Sequence, residues 1–297
     1  MARVRKQKIG GLFTALITAF DDKGRVDAER MTNLVRFQIS KGVDGLYPCG
    51  STGLGPMLSP DERKAVAEAV IEEASGKIPV VVQVGSADTA SSIELAKHAE
   101  KTGATAVASL TPYYYKPGDR AVFKHFEAIS KSVSIPTFAY NIPQFTGNNL
   151  QPSALAAMAK AGIIAGIKDS SRDFLHLLDL LDAVPDDFVV MNGTEEYGLF
   201  ALMSGADGLI SGGASALPEP FVLLVAAQRG LSYDEALAAQ ETVLKLKDVV
   251  RTGAISSYYE ILRERGIECG KPRIPLLPTE PSEAKRIIAE LKELRLI

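Results

Sequence analysis

Eight short apolar runs punctuate the first three quarters of the chain: Leu12–Thr18, Gly45–Cys49, Val80–Val84, Ala106–Leu110, Thr137–Tyr140, Ile163–Ile167, Phe188–Met191 and Gly208–Ile210. Most are continuous rather than alternating, as expected of parallel strands covered on both faces. Helical segments separate them. Ser59-Pro60-Asp61-Glu62 combines an N-cap serine, a proline at the first helical position and a glutamate at capping-box spacing. Val66, Val70 and Ile71 then share one face, and Gly76 ends that helix. Ser232-Tyr233-Asp234-Glu235 predicts a second start of the same kind, and Thr279-Glu280-Pro281 a less complete one. Eight strand–helix units predict an α/β fold, a closed (β/α)8 TIM barrel. A doubly wound open sheet is the competing architecture, but no GxGxxG follows the first strand. From about Pro218 onward the pattern holds helices only, with no linker before them. The expected organisation is a barrel over residues 1–230 with a C-terminal helical extension of the same domain over 231–297.

Composition narrows the chemistry. The 297 residues carry 33 basic and 36 acidic side chains, a net charge of −3, which argues against a nucleic-acid partner. Two cysteines make neither a disulfide framework nor a cysteine-rich zinc site. No apolar run reaches the roughly 18 residues of a membrane span. The basic start is not followed by the apolar core of a signal peptide, so a cytoplasmic protein without membrane partners is expected. The three histidines, His98, His125 and His176, lie apart in helical segments, and HExxH, CxxC and GxSxG are all missing. Acid–base chemistry, if present, falls to Tyr, Lys, Ser, Thr or carboxylates. No metal or other cofactor is expected.

A barrel of this type carries its reactive groups at the C-terminal ends of its strands. Lys168 stands out there, directly after Ile163-Ile164-Ala165-Gly166-Ile167. Desolvation in an apolar mouth disfavours the ammonium and makes the amine a nucleophile toward carbonyl carbon. That placement favours imine chemistry over the plainer reading, a solvent-exposed lysine paired with Asp169. Tyr140 ends the neighbouring strand. Its phenol suits proton transfer, or simply packs with its tip hydrogen-bonded; the residues alone leave both open. The loop Gly50-Ser51-Thr52-Gly53-Leu54-Gly55 lacks a P-loop ending. The hydroxyls of Ser51 and Thr52, with nearby backbone N–H groups, suit a small carboxylate. A tight turn alone would explain the glycines but not two adjacent hydroxyls.

Taken together, these strand ends resemble the N-acetylneuraminate lyase and dihydrodipicolinate synthase superfamily of pyruvate-dependent class I aldolases. The resemblance is carried in order by Gly50-Ser51-Thr52-Gly53, Thr111-Pro112-Tyr113-Tyr114, Tyr140-Asn141-Ile142-Pro143, Gly166-Ile167-Lys168-Asp169 and Asn192-Gly193. It implies that Lys168 forms an imine with pyruvate, that Tyr140 shuttles protons, and that Ser51 and Thr52 hold the pyruvate carboxylate. It also implies that Thr52 and Tyr114 join the catalytic relay, with Tyr114 reaching in from a neighbouring subunit. Gly193 and Ile210 would line the pocket near the imine. The assembly implied is a homotetramer, a dimer of dimers, acting on pyruvate with an aldehyde or keto-deoxy sugar acid.

Within the superfamily, dihydrodipicolinate synthases carry an arginine two residues after Tyr-Asn-x-Pro to bind the aldehyde's carboxylate. That place is Phe145 here, and a phenyl ring makes no bidentate carboxylate contact. Gly53-Leu54-Gly55-Pro56 and Pro112-Tyr113-Tyr114-Tyr115 resemble archaeal 2-keto-3-deoxygluconate aldolases, whereas Gly193-Thr194-Glu195-Glu196 departs from the Gly-Ser-Asp expected of them. The expected activity is therefore cleavage of a 2-keto-3-deoxy sugar acid to pyruvate and an aldehyde. The alternatives are 4-hydroxy-tetrahydrodipicolinate synthesis, an N-acetylneuraminate lyase-like reaction and a keto-deoxy sugar acid dehydratase. A phosphosugar aldolase using Gly212-Gly213 and a non-catalytic pyruvate or sugar-acid sensor complete the set.

Overall fold

A computed structural model describes residues 9–251 and 255–297. The basic N-terminal run of residues 1–8 lies outside them. Eight parallel strands occur in chain order: β1 (Gly11–Ala15), β2 (Gly45–Tyr47), β3 (Val81–Gln83), β4 (Ala106–Leu110), β5 (Thr137–Asn141), β6 (Gly166–Asp169), β7 (Val189–Asn192) and β8 (Gly208–Ser211). They pair in the order β2-β1-β8-β7-β6-β5-β4-β3. A bridge between Leu46 and Val80 closes the ring, helped by the Leu46 N–H on Pro79 O at 3.0 Å and the Gln83 N–H on Pro48 O at 3.2 Å. This is the (β/α)8 barrel, with helices between the strands and more at the C-terminus.

Strand alternation sorts the core into two shells. Phe13, Tyr47, Val81, Ala108, Phe138, Tyr140, Met191 and Ile210 fill the inside, while Leu12, Leu46, Val82, Ile167, Val190 and Leu209 meet the helices outside. The rings of Phe13 and Phe138 lie over Gly45 and Gly166, where an added Cβ would collide with them. Large residues thus face small ones in the barrel interior, as close packing requires.

Three sequence expectations shift. The run Ile163–Ile167 reads as a strand with Lys168 after it, yet β6 starts at Gly166 and contains Lys168. Ile163 instead caps the preceding helix: its N–H bonds Met158 O and the Gly162 N–H bonds Ala159 O, both at 2.9 Å. That is a Schellman motif, whose apolar contact, Ile163 with Met158, is buried. Strand β2 stops at Tyr47 because Pro48 has no N–H and Cys49 turns at φ 61°. Ser59 and Glu62 form the expected capping box, but Ser232 stands at its N-cap with no side-chain hydrogen bond.

The eighth barrel helix (Glu219–Arg229) is followed by helices Tyr233–Val250, Ile255–Glu264 and Pro281–Glu293. They are fastened to the loops at the C-terminal end of the barrel. The Tyr259 hydroxyl donates to Thr18 O at 2.8 Å, Arg265 reaches Ala216 O at 2.6 Å, and Arg273 bonds Gly24 O at 2.7 Å and the Glu62 carboxylate. Among the described residues, no helix is long and apolar enough to cross a membrane, and no cluster of three or more His, Cys, Asp or Glu is placed to hold a metal.

Candidate active site

Parallel pairing sets Tyr140 beside Lys168, and Lys168 beside Met191. Because side chains alternate across a strand, Lys168 points inward while Asp169 points toward the helices. Lys168 is only 5% exposed. Its Nζ lies 4.4 Å from the centre of the Tyr140 ring and 4.7 Å from that of Tyr47. Among the described residues no carboxylate forms an ion pair with it. The adjacent Asp169 is engaged by Asn141 Nδ2 at 2.8 Å, by the Ser171 hydroxyl at 2.7 Å and by His176 at 3.7 Å. The plainer reading of Lys168, an exposed amine paired with Asp169, is thereby removed. Burial raises the Asp169 carboxyl above its ordinary range, and the bonds from Ser171 and Asn141 oppose that rise.

Above the amine, the Tyr140 Oη and Ser51 Oγ approach to 3.4 Å. Ser51 and Thr52 are half-buried on a loop held tightly under the first strand's end. The Thr18 hydroxyl donates to Gly53 O at 2.6 Å, and a Cβ at Gly55 would collide with Cys49 O. Leu54 takes a left-handed conformation there at φ 57°. The glycines are thus explained by close approach, and the two hydroxyls stand free of that requirement. Thr52 lies against the loop after β8: a Cβ at Gly212 would be 2.9 Å from its Oγ1.

Gly193 belongs to the same group. Its N–H bonds Asp169 O at 2.6 Å, and a Cβ there would meet Ser170 Oγ and come within 3.0 Å of Lys168 Cε. Ile210 is buried in the inner shell with Tyr47, Tyr140 and Met191. Lys168, Tyr140, Ser51, Gly193 and Ile210 therefore converge at one end of the barrel, with Thr52 beside them. Tyr114 does not join them within its own chain. It is 88% exposed, strained at φ 79°, and stacked edge-on against Tyr115 at 5.1 Å.

Two features escape a reading of motifs. Tyr47 is the last inward-facing residue of β2, and only the alternation of that short strand marks it. Glu195, after β7, is buried and accepts from the Ser211 hydroxyl at 2.7 Å, the Gly213 N–H at 2.8 Å and Lys247 Nζ at 3.2 Å. Burial pushes the Glu195 carboxyl up, but Lys247, Gly213 and Ser211 outweigh it and hold it below the ordinary value. Lys247 comes from the extension, at a sequence separation no local pattern could connect.

A buried, unpaired amine beside a phenol and two hydroxyls can attack a carbonyl, move protons and bind a small carboxylate. Comparison with known proteins points the same way. The model of the dihydrodipicolinate synthetase family matches residues 8–294. A 4-hydroxy-tetrahydrodipicolinate synthase of Chlorobium phaeobacteroides (strain DSM 266) is 35% identical over 292 residues, 97% of this chain and 98% of the relative. In structure, the chain is similar to YagE, an Escherichia coli K12 prophage protein of the dihydrodipicolinic acid synthase family solved with pyruvate. That match has a TM-score of 0.93 and 28% identity, covering 97% of this chain and 99% of the other. A variant of 2-keto-3-deoxygluconate aldolase from Sulfolobus solfataricus matches with a TM-score of 0.89 and 28% identity over 96% of each chain. A barrel with this mouth, matched over nearly its whole length, belongs to the dihydrodipicolinate synthetase family and is a lyase of the class I aldolase type, working through a Schiff-base lysine.

Proposed function

We propose that Lys168 forms the imine with pyruvate and that Tyr140, Ser51 and Thr52 serve it. The observation that carries this is the buried Lys168 amine, paired with no carboxylate among the described residues and set against the Tyr140 ring. The neutral amine attacks the carbonyl carbon. The carbonyl oxygen leaves as water, taking one proton from nitrogen and one from an acid, and a positive charge stays on nitrogen. That iminium draws electrons from the adjacent carbon, so a C–C bond beside it can break or form. Tyr140 gives and takes the protons. Ser51 and Thr52 hold the pyruvate carboxylate, and Gly193 and Ile210 leave room for and line the imine. The active assembly is a homotetramer in which Tyr114 enters a neighbouring site.

The aldehyde partner is the finer choice. The curated relatives are named 4-hydroxy-tetrahydrodipicolinate synthase, which supports aspartate semialdehyde more directly than it supports a sugar aldehyde. One observation favours the 2-keto-3-deoxy sugar acid instead. Phe145, 70% exposed after β5, stands where the synthases' arginine would be, and it cannot pair with a carboxylate.

One set of measurements tests both levels. Borohydride with pyruvate should leave a stable adduct on the Lys168 peptide; an adduct solely on another lysine refutes the mechanism. Kinetics with aspartate semialdehyde and with glyceraldehyde then decide the partner. A kcat/KM above about 10⁴ M⁻¹s⁻¹ with the semialdehyde, the lower end of ordinary enzyme efficiency, establishes the synthase reading.

A further inference from the structure

Tyr47 is the residue of this mouth to which no role has yet been given. It is fully buried in the inner shell at the end of β2, with its ring centre 4.7 Å from Lys168 Nζ. The Tyr140 ring stands at 83° to it with centroids 5.9 Å apart, so the amine sits in a corner between two aromatic rings. The Tyr47 Oη has no hydrogen-bond partner among the described residues. Gly50 makes room for the ring: a Cβ there would lie 3.0 Å from its edge.

We propose that Tyr47 is a positioning residue whose ring face holds the cationic nitrogen of Lys168, as the iminium, while its hydroxyl takes no part in proton transfer. The nitrogen attacks the carbonyl only in its neutral form, and the iminium that results carries a lasting positive charge. Among the described residues no carboxylate side chain is paired with that nitrogen, and a desolvated cation within about 6 Å of a ring centre is drawn to the ring's negative face. The Tyr140 ring offers the same attraction, but its Oη is turned to Ser51 at 3.4 Å. Tyr140 thus combines two duties, and Tyr47 keeps one. The unpartnered Oη fits this division, because a proton relay needs a hydrogen-bonded neighbour and the ring face does not.

This inference rests on the assignment of Lys168 as the imine lysine, and the test separates the two. Wild type, Y47F and Y47L are incubated with pyruvate and borohydride, and the adduct is quantified by intact mass against pyruvate concentration. Propionate, which carries the carboxylate but no carbonyl, is measured alongside as a competitor of trapping. Y47L should raise the half-saturating pyruvate concentration roughly tenfold, the scale of a desolvated cation–ring contact of about 1.4 kcal/mol. Y47F, which keeps the ring, should restore it to within about threefold. Propionate inhibition should change less than twofold in both. If Y47L does not fold, Y47M fills a similar space without a ring and must give the same shift. An unchanged Y47L overturns the inference. So does a Y47F loss as large as that of Y47L, or an equal loss of propionate affinity, which would mark a purely structural residue. Failure of wild type to form any adduct on Lys168 overturns the underlying assignment instead.

Discussion

At Tyr140 a single oxygen separates two readings that its position in the sequence leaves open. The ring packs in the inner shell and stacks on Tyr47, which Phe would preserve. The hydroxyl alone reaches Ser51. Tyr140→Phe should therefore keep the fold and much of the pyruvate binding while lowering turnover roughly 10²- to 10⁴-fold, the usual scale for one acid–base group. Steady-state kinetics beside thermal unfolding check this; turnover near wild type would reduce Tyr140 to a packing residue. Lys168 was legible because an amine at the end of an apolar run is unusual. Tyr47 was not, because an aromatic residue in a strand is ordinary and four strand pairings separate β2 from β6 either way round the barrel.

Two buried polar clusters work at the scale of elements. Glu195, Ser211, Gly213 and Lys247 tie the β7 and β8 loops to the helix Tyr233–Val250. Removing Lys247 leaves the Glu195 carboxylate buried without its cation, which costs about 3–5 kcal/mol, whereas removing Glu195 leaves Lys247 still paired with Glu196 at 3.2 Å. Lys247→Met should lower stability on that scale and Glu195→Ala by less, because Lys247 keeps Glu196, and the double variant should lose clearly less than their sum. Denaturant midpoints at constant slope measure this; strict additivity would show that the two are not coupled. The second cluster joins the helix Asp119–Ser130 to β4. His125 Nδ1 meets the Thr89 hydroxyl at 3.0 Å and Nε2 meets Ser109 at 3.1 Å. Ser109 donates to Leu110 O, so its oxygen accepts from Nε2–H and Thr89 donates to Nδ1. Burial lowers the His125 pKa to about 4. A depressed folded value means the unfolded chain takes up the proton first. His125 thus contributes stability above pH 6.5 that is lost as pH falls to 4, roughly 3 kcal/mol in all. Unfolding measured across that window should show a shallower decline in His125→Gln; an unchanged slope would rule out this role.

For the whole molecule, the exposed and strained Tyr114 is the feature that a single chain leaves unexplained. Tyr114 and Tyr115, between Pro112 and Pro117, present large rings to solvent, a common trace of an interface, while Tyr113 packs against the inner shell. If each chain lends Tyr114 to its neighbour, the contact is two-fold and isologous. Lys168→Ala and Tyr114→Phe chains, each inactive alone, should then recover part of the activity when mixed, because some hybrid sites hold both residues intact. Hybrids that form without any recovery, or a fully active monomer, would rule out the shared site.

The sequence by itself determined the barrel, its element order and the cluster of chemistry at its strand ends. These follow from local information: continuous apolar runs, caps and the residue types that end each strand. It also placed Lys168 and Tyr140 on neighbouring strands, since successive strands of such a barrel pair. Only the tertiary structure decided that Ile163 caps a helix rather than opening a strand, because a buried cap and a buried strand are equally apolar. Only closure of the ring brought Tyr47 on β2 to Lys168 on β6, and only packing of the extension brought Lys247 to Glu195. Each of these joins residues far apart in the chain, and hydrophobic periodicity carries no information about such pairs.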